Sequence, residues 1–507
     1  MPSRPPIRPS RLRNIAACTA AALLCLLPSA TATAAPARPA DTAGWETLDT
    51  YVRDRMAATD TPGLAYAVVG PDGPIHRRVL GSDGDGRPVT ASTPFLWGSV
   101  SKPITATAVL TLVEDGRLAL DEPVTEHLPG FRFGGPEHAG KVTVRHLLGH
   151  TSGIPESAIP LVTDCFRTDC PAAADRVGAL DGIDPLGPPG TVHAYSSANY
   201  VVLTAVAEAV TGQPLADLLR EAVFSPAGMD GAFADRASAR DRGLPPGHQL
   251  LWGVHSAVAD GVDDHGAGYG YTGGGLDDLA AFASFQLRAT DGVLSSGAVR
   301  LMREEATLRP GGAGTGYGLG WQVGGLDAPL DGAVWHAGVT PGYSAALFLL
   351  PERDLALVLE QNLYGFLEND AMMAVAFGAA RIVAGGDAPA DAPSALLHHA
   401  SVWGVTGLAL ALTLAAGRSL VLLRRPARPT GPGRRAVVTA SWGLLGALPC
   451  AALAVLAATD RLGFLRIWVP DLHIALWTAA VAGAVTATLR LALAIRAARG
   501  RTGGTAA

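Results

Sequence analysis

The chain has 507 residues, of which 48% are hydrophobic and 17% are charged, and its formal net charge at pH 7 is −6. Its mean hydropathy of +0.25 is too high for a wholly soluble protein. One large domain joined to membrane segments fits this length and composition better than three small soluble domains.

Residues 1–35 have the pattern of a secretory signal peptide. Four arginines precede an apolar run from Ile15 to Leu27, and the small residues Ala32 and Ala34 then offer a cleavage site. An uncleaved membrane anchor is the alternative interpretation. Residues 36–45 are predicted to form a linker, and residues 46–385 are predicted to form one folded domain.

The folded domain begins with a predicted amphipathic helix from Trp45 to Met56, followed by two strands over residues 63–69 and 75–80. Another helix is predicted to begin near Ser99 and to end before Gly116. This succession favours an α/β fold.

Ser99 and Lys102 lie three residues apart at the opening of that helix. The spacing places both side chains on one helix face, within hydrogen-bond reach. A lysine amine without its proton can activate a serine hydroxyl, and the start of a helix stabilises the oxyanion that then forms. The alternative is that Lys102 is an exposed lysine in a first helical turn.

His146 and His150 are four residues apart and can share a helix face. No third ligand with metal-site spacing accompanies them. We therefore interpret both histidines as structural residues and predict no metal site.

The five cysteines divide into three groups. Cys18 and Cys25 lie in the predicted signal peptide, and Cys450 lies in an apolar run. Cys165 and Cys170 belong to the folded domain, and outside the cytoplasm such a pair closes a small disulfide loop. Two free surface thiols are the alternative.

Two further segments carry candidate site residues. Tyr195 lies in a turn before a predicted helix over residues 201–210, where it is either a site residue or a core tyrosine. Gly338 lies ahead of two predicted antiparallel strands, over residues 345–350 and 355–359. A glycine here lets the backbone of a ligand approach the strand closely.

The combined motifs resemble those of the serine β-lactamase and penicillin-binding-protein superfamily. The nearest branch holds class C β-lactamases, D-alanyl-D-alanine carboxypeptidases and related esterases. The motifs occur in the family's order over about residues 45–380 and are Ser99–Lys102, His146–Gly153, Tyr195–Ser197, Tyr317–Trp321 and His336–Gly338. The resemblance implies a five-stranded antiparallel β-sheet flanked by helices, a mainly helical second lobe, and an active site between them.

The resemblance also implies the catalytic roles. Ser99 would be the acylated nucleophile, and Lys102 and Tyr195 would carry its proton. The backbone amides of Ser99 and Val339 would form the oxyanion hole. This chemistry requires neither a metal ion nor an organic cofactor.

Three more residues would contact the substrate. His336 and Gly338 occupy the strand that lines the site opposite the serine in this superfamily. Ser197 stands where the family usually has Asn, so a contact to the acyl group of the substrate is shortened or lost, and Asn199 cannot be assumed to replace it. This departure leaves the substrate class open.

From residue 400 onward the composition becomes that of a membrane domain. After a predicted linker over residues 386–400, three apolar spans occupy about 401–423, 436–458 and 469–495, each long enough to cross ~30 Å of hydrocarbon. The connection between the first two spans carries five arginines, and the tail over residues 496–507 carries three. Arginine-rich loops stay in the cytoplasm, so the tail is predicted to be cytoplasmic and the catalytic domain extracytoplasmic.

These patterns predict a serine hydrolase anchored in a bacterial cell membrane. The expected substrate is a D-Ala-D-Ala-type peptide or a related cell-wall amide, either a small molecule or a peptide of peptidoglycan. The acidic composition of the outer domain argues against nucleic acid as a partner. An esterase or a β-lactamase of the same fold, and a non-hydrolytic penicillin-binding sensor, are the alternatives.

Overall fold

The computed structural model describes residues 42–259, 261–288, 292–304, 307–308, 315–390, 396–425, 431–459 and 461–502. The predicted signal peptide lies outside the described residues, as does most of the linker that follows it.

The strands of the described residues fall into one large sheet and two hairpin-sized pairs. They are β1 (Gly63–Gly70), β2 (Gly73–Gly81), β3 (Phe95–Leu96), β4 (Gly247–Leu251), β5 (Val254–Ala259), β6 (Gly273–Gly274), β7 (Thr307–Leu308), β8 (Thr315–Tyr317), β9 (Gln322–Gly324), β10 (Val334–Thr340), β11 (Tyr343–Leu350) and β12 (Leu355–Gln361).

The helices before residue 390 flank the large sheet or build a second lobe. They are α1 (Thr42–Ala58), α2 (Ser101–Glu114), α3 (Pro136–Ala139), α4 (Val144–Leu148), α5 (Ile159–Val162), α6 (Ala173–Val177), α7 (Ala198–Thr211), α8 (Leu215–Leu219), α9 (Ser225–Ala227), α10 (Arg236–Asp241), α11 (Leu276–Arg288), α12 (Ser296–Glu304) and α13 (Asn369–Val383). After residue 395 follow α14 (Leu396–His398), α15 (Gly404–Arg424), α16 (Pro432–Ala458), α17 (Leu462–Trp468) and α18 (Pro470–Thr502).

The large sheet is antiparallel, with the strand order β2-β1-β12-β11-β10-β9-β8-β7. Its five longest strands, β2 to β10 in this order, match the five-stranded sheet that the resemblance implies. Three short strands extend it to eight strands in the described residues. Runs of two or three residues such as β8 and β9 are too short to show an alternation of apolar and polar residues, so the sequence pattern does not reveal them.

The central strands are buried on both faces, because side chains alternate between two separate cores. On β11, Leu347 points into the core shared with α11 and the helical lobe, where Leu279 also lies. Its neighbour Phe348 points into the other core, against Leu48 of α1 and Val375 of α13. The predicted strands over residues 63–69, 75–80, 345–350 and 355–359 are all confirmed.

Helix α2 is buried on nearly all sides, since every residue from Ser101 to Leu110 is inaccessible to solvent. Two of its polar side chains have partners inside the protein: the Ser101 and Thr272 hydroxyls lie 2.7 Å apart, and Thr107 Oγ1 donates to the Pro103 carbonyl at 2.8 Å. A helix held this tightly fixes the position of the residues in its first turn.

Among the described residues, three helical segments are long and apolar enough to cross a membrane: Leu396–Arg424, Gly433–Ala458 and Pro470–Arg499. They confirm the three predicted spans, although the first begins within the predicted linker and the last helix continues into the predicted tail. The third span packs against both of the others.

The folded domain contacts one end of these spans. At the β4–β5 turn, Trp252 Nε1 donates to Thr406 Oγ1 at 2.8 Å, and the Trp252 amide donates to Asp471 Oδ2 at 3.1 Å. Gln249 Nε2 donates to the Ile467 carbonyl at 2.8 Å. Both Thr406 and Asp471 lie near the ends of their spans that are remote from the arginine-rich connection.

We expect Leu347→Ala to destabilise the protein by about 2–5 kcal/mol, because it opens a cavity in a fully buried strand between two packed layers. Thermal unfolding followed by circular dichroism measures the effect as a lower Tm. Ile75→Ala, at a position that is 55% exposed, is the control and should leave the Tm nearly unchanged. Equal melting temperatures for the two variants would contradict the assignment of Leu347 to the core.

Candidate active site

Ser99 lies in a single 3₁₀ turn, Gly98–Val100, which leads directly into α2. Lys102 is the second residue of α2, so the turn brings its amine back over the serine. Lys102 Nζ donates to Ser99 Oγ at 3.0 Å. The sequence-predicted pair therefore meets at hydrogen-bond distance at the start of a buried helix.

The Lys102 amine is fully buried and has three oxygen partners. Besides Ser99, Nζ contacts Ser197 Oγ at 3.1 Å and the Tyr269 carbonyl at 2.8 Å. Burial lowers the pKa of Lys102 to about 7, and the negative charge of Asp164 partly opposes this shift. A large fraction of the amine is therefore neutral near physiological pH and is able to accept a proton.

Tyr195 covers the other side of this pair. Its ring centroid lies 5.0 Å from Lys102 Nζ, and its hydroxyl is hydrogen-bonded to Ser99. Burial raises the pKa of Tyr195 above its usual value, and the hydrogen bond to Ser99 opposes that rise. The phenol therefore stays protonated in the free protein, so Lys102 is the group better suited to take the serine proton.

Strand β10 passes directly against the serine turn. Gly98 has a φ of +54°, and a Cβ there would lie 2.1 Å from the Val339 amide nitrogen. A Cβ on Gly338 would lie 2.1 Å from the Trp97 carbonyl and 2.5 Å from the Ser99 nitrogen. Only glycine fits at both positions, and the contact brings the Ser99 and Val339 backbones side by side.

A cleft of about 600 Å³ opens beside Ser99. Tyr195 and His336 line it on one side, and α13 borders it with Asn369 and Phe377. His336 Nε2 lies 3.1 Å from the Tyr317 hydroxyl, so the two motif residues contact each other within the wall of the cleft. The cleft is large enough for a peptide or ester group to reach the serine.

The two histidines of the His146–Gly153 motif have separate contacts. His146 Nδ1 accepts from the Thr143 amide at 3.1 Å in a helix cap, whereas His150 lies buried beneath Tyr195 with ring centroids 4.4 Å apart. Burial, then the nearby charge of Lys102, hold the pKa of His150 well below its usual range. In the part of the chain that the structure describes, no three His, Cys, Asp or Glu side chains form a metal-binding group.

Asn199 is turned away from the lysine. Its amide nitrogen lies 3.1 Å from His150 Nδ1, and its side-chain oxygen accepts from the Ser152 hydroxyl at 2.5 Å. Asn199 therefore does not stand in for the family asparagine at position 197. The small Ser197 hydroxyl faces Lys102 instead, and its contact with a substrate stays a prediction.

Cys165 and Cys170 form a disulfide, next to Asp164. Asp164 belongs to a hydrogen-bonded layer behind the lysine: Tyr271 donates to its Oδ1 at 2.7 Å, and Trp468 Nε1 donates to its Oδ2 at 3.0 Å. Burial raises the pKa of Asp164, and the bonds from Tyr271 and Trp468 lower it. Trp468 comes from α17, the short helix between the second and third spans, so the membrane segment reaches the second layer of the site.

Three residues of the site had no signal in the sequence motifs. Tyr269 contributes only its backbone carbonyl, and Asp164 and Trp468 meet although they are 304 residues apart. Tyr317 belongs to one of the family motifs in the sequence. Its contact with His336 depends on β9, which pairs with both β8 and β10. These contacts follow from tertiary structure and not from spacing.

The family comparison agrees with this geometry. The family model named Beta-lactamase matches residues 48–376, and the chain belongs to this family. The match includes the serine turn, the buried lysine and the β10 strand.

The names of individual relatives indicate different functions. Penicillin-binding protein 4 from Amycolatopsis lactamdurans is 32% identical over 344 residues, covering 64% of this chain and 86% of the relative. Esterase EstB from Burkholderia gladioli is 35% identical over 320 residues, covering 54% of this chain and 78% of the relative.

A solved structure shares the fold. The octameric penicillin-binding protein homologue from Pyrococcus abyssi superposes with a TM-score of 0.60 at 20% identity, covering 72% of this chain and 81% of that chain. The likeness confirms the predicted β-lactamase-like architecture.

We expect Gly338→Ala to slow covalent labelling of the serine by a fluorophosphonate by ~10²-fold or more, because the added methyl must displace either β10 or the serine turn. Labelling rates read by in-gel fluorescence measure this. Gly332→Ala, just before the same strand, is the matched control, since its Cβ would meet its nearest neighbour at an ordinary 3.6 Å. Unchanged labelling of the Gly338 variant would show that the close contact does not shape the site.

Proposed function

We propose that the protein is a membrane-anchored, extracytoplasmic serine hydrolase that works through an acyl-enzyme on Ser99. The observation that carries the proposal is the Ser99 hydroxyl at 3.0 Å from a fully buried Lys102 amine whose pKa burial lowers to about 7. Membership of the family supports hydrolase chemistry in general.

In the proposed reaction, Lys102 Nζ removes the Ser99 proton as Oγ attacks the carbonyl carbon of the substrate. The adjacent amides of Ser99 and Val339 stabilise the oxyanion of the tetrahedral intermediate. Tyr195, hydrogen-bonded to Ser99, then passes a proton to the leaving group and recovers it from Lys102. Water resolves the acyl-enzyme by the same steps in reverse.

The preferred substrate is a D-Ala-D-Ala-type peptide or a related amide of the cell wall. The relative named penicillin-binding protein 4 supports an amide substrate. The relative named esterase EstB supports an ester instead, so esterase activity is the second candidate. The small Ser197, where the family usually has Asn, is compatible with both.

The orientation in the membrane follows from charge. The catalytic lobe contacts the ends of the spans at Thr406 and Asp471, whereas the arginine-rich connection leaves from the opposite ends. Because arginine-rich loops remain in the cytoplasm, we place the lobe on the outer surface of a bacterial membrane.

Replacement of the nucleophile tests the proposal directly. Ser99→Ala should abolish the adduct of a fluorescent penicillin or fluorophosphonate in intact-mass spectra and reduce turnover by ~10³-fold or more. Ser157→Ala, at an exposed serine, is the control and should label like the wild type. An adduct that persists in the Ser99 variant would refute the assignment of the nucleophile.

The substrate class is tested by measuring kcat/KM of the wild-type protein for a D-Ala-D-Ala peptide, a p-nitrophenyl ester and a chromogenic cephalosporin side by side. The proposal expects the highest kcat/KM with the peptide. Highest turnover of the ester identifies an esterase, and highest turnover of the cephalosporin a β-lactamase. An adduct that forms without turnover of any substrate identifies a penicillin-binding sensor.

The pH dependence of kcat/KM reports the pKa of the group that acts as the base. Activity needs the neutral amine of Lys102, so the acidic limb of the profile should fall near pH 7. The charge of Asp164 raises the pKa of Lys102, so Asp164→Asn should lower it and move this limb to lower pH. Asp169→Asn, at an exposed aspartate paired with Arg167, should leave the limb in place. A limb that moves upward or stays fixed in the Asp164 variant would contradict the electrostatic link.

A further inference from the structure

The membrane domain contains a cavity that the proposed hydrolase reaction does not use. It has a volume of about 790 Å³ and lies where the three spans approach the arginine-rich connection. All three spans contribute to its walls. Six arginines line it: Arg418, Arg425, Arg434, Arg435, Arg490 and Arg496.

The packing of the helices explains why the cavity exists. The third span touches the second span closely at Gly446 and Gly483, where an added Cβ would meet backbone at 2.5 Å. It is joined to the first span by a hydrogen bond of 2.7 Å from Thr486 Oγ1 to the Leu412 carbonyl. Beyond these contacts, toward the arginine-rich ends, larger side chains such as Trp442 and Leu493 line the cavity.

Positive charge predominates in the described lining of the cavity. From residue 396 onward the sequence has two acidic residues. Asp460 belongs to the connection between the second and third spans, and Asp471 lies at the start of the third span, remote from its arginine-rich end. No carboxylate therefore lines the cavity in the described residues. Several guanidinium groups close together in a membrane domain repel one another, and a bound anion offsets that repulsion.

Arg490 is the residue most clearly arranged for a ligand. Its guanidinium carbon lies 5.4 Å from the centre of the Trp442 ring, which fixes the side chain by a cation–π contact. Within the described part of the chain its buried Nε has no hydrogen-bond partner. Arg496, by contrast, donates to the carbonyls of Leu423 and Arg425 and joins the ends of the first and third spans.

The depth of the cavity matches the position of lipid phosphates. Arg490 is twenty residues after Pro470, ~30 Å along an α-helix, which is about the thickness of the hydrocarbon core. The cavity also has apolar walls, from Leu414, Leu422 and Val438. Arginine pairs with phosphate through two parallel hydrogen bonds, and the apolar walls suit an acyl chain better than a free ion.

We infer that this cavity is a binding site for the headgroup of an anionic phospholipid from the leaflet at the arginine-rich end. Arginines that only extend to the nearest headgroups would spread around the outside of the bundle. Here they converge from three helices on one space, and the unpartnered Nε of Arg490 is the group that a phosphate oxygen would satisfy. A zwitterionic lipid is disfavoured because its choline group would meet the same positive charge.

Native mass spectrometry of the full-length protein in detergent tests the inference. The protein is titrated in separate arms with phosphatidylglycerol, phosphatidylcholine and inorganic phosphate. We expect phosphatidylglycerol to bind at least ~10-fold more tightly than phosphatidylcholine, and Arg418→Gln/Arg490→Gln to lose this preference. The matched control, Arg461→Gln/Arg466→Gln, changes two exposed arginines at the opposite end and should keep it.

Three outcomes would overturn the inference. One is equal binding of both lipids by the wild type, and another is full retention of the preference by the Arg418/Arg490 variant. The third is displacement of phosphatidylglycerol by inorganic phosphate alone, which would identify a free-anion pocket. Labelling of Ser99 in every variant shows that the protein is folded, and a lost lipid preference with normal labelling supports the site specifically.

Discussion

Burying a lysine side chain completely is unfavourable unless its amine gives up its proton or gains strong partners. Lys102 does both: burial lowers its pKa to about 7, and three oxygen atoms surround Nζ. The surrounding parts of the catalytic lobe keep this amine buried and hold it in a fixed position. The burial of α2, the passage of β10 against the serine turn, and the aromatic rings of Tyr195 and Tyr200 all surround this amine and the adjacent serine.

The second layer connects that amine to the membrane domain. Asp164 acts on Lys102 through its charge, and Trp468 holds Asp164 through one hydrogen bond. Around Trp468, the ring of Phe464 stacks at 6.0 Å and that of Tyr364 meets it edge-on at 5.8 Å. The short helix α17 is thus packed between the spans and the catalytic lobe. A single anchoring helix would not supply this contact, which gives the additional spans a structural role next to the active site.

The sequence predicts some features of this protein well because their signals are local. The three-residue spacing of Ser99 and Lys102, the apolar runs of β11 and β12 on either side of a polar turn, and the apolar spans each need only a short window. The contacts of Tyr269, Asp164 and Trp468 cannot be predicted in this way, because a backbone carbonyl has no residue signature and the other two meet across most of the chain. Ser197 illustrates another limit of prediction from sequence. The sequence shows that this residue departs from the family pattern, but only the structure shows that its hydroxyl contacts Lys102.

The chain has two lysines, Lys102 and Lys141, so the pKa of the buried Lys102 amine can be measured directly by NMR. Protein labelled with ¹³Cε-lysine should give two methylene signals by NMR, and their chemical shifts can be followed as a function of pH. We expect one signal to titrate near pH 7 and to disappear in the Lys102→Arg variant, while the signal of the exposed Lys141 remains. If neither signal titrated below about pH 9, the buried amine would be charged at neutral pH and would not act as the base for Ser99.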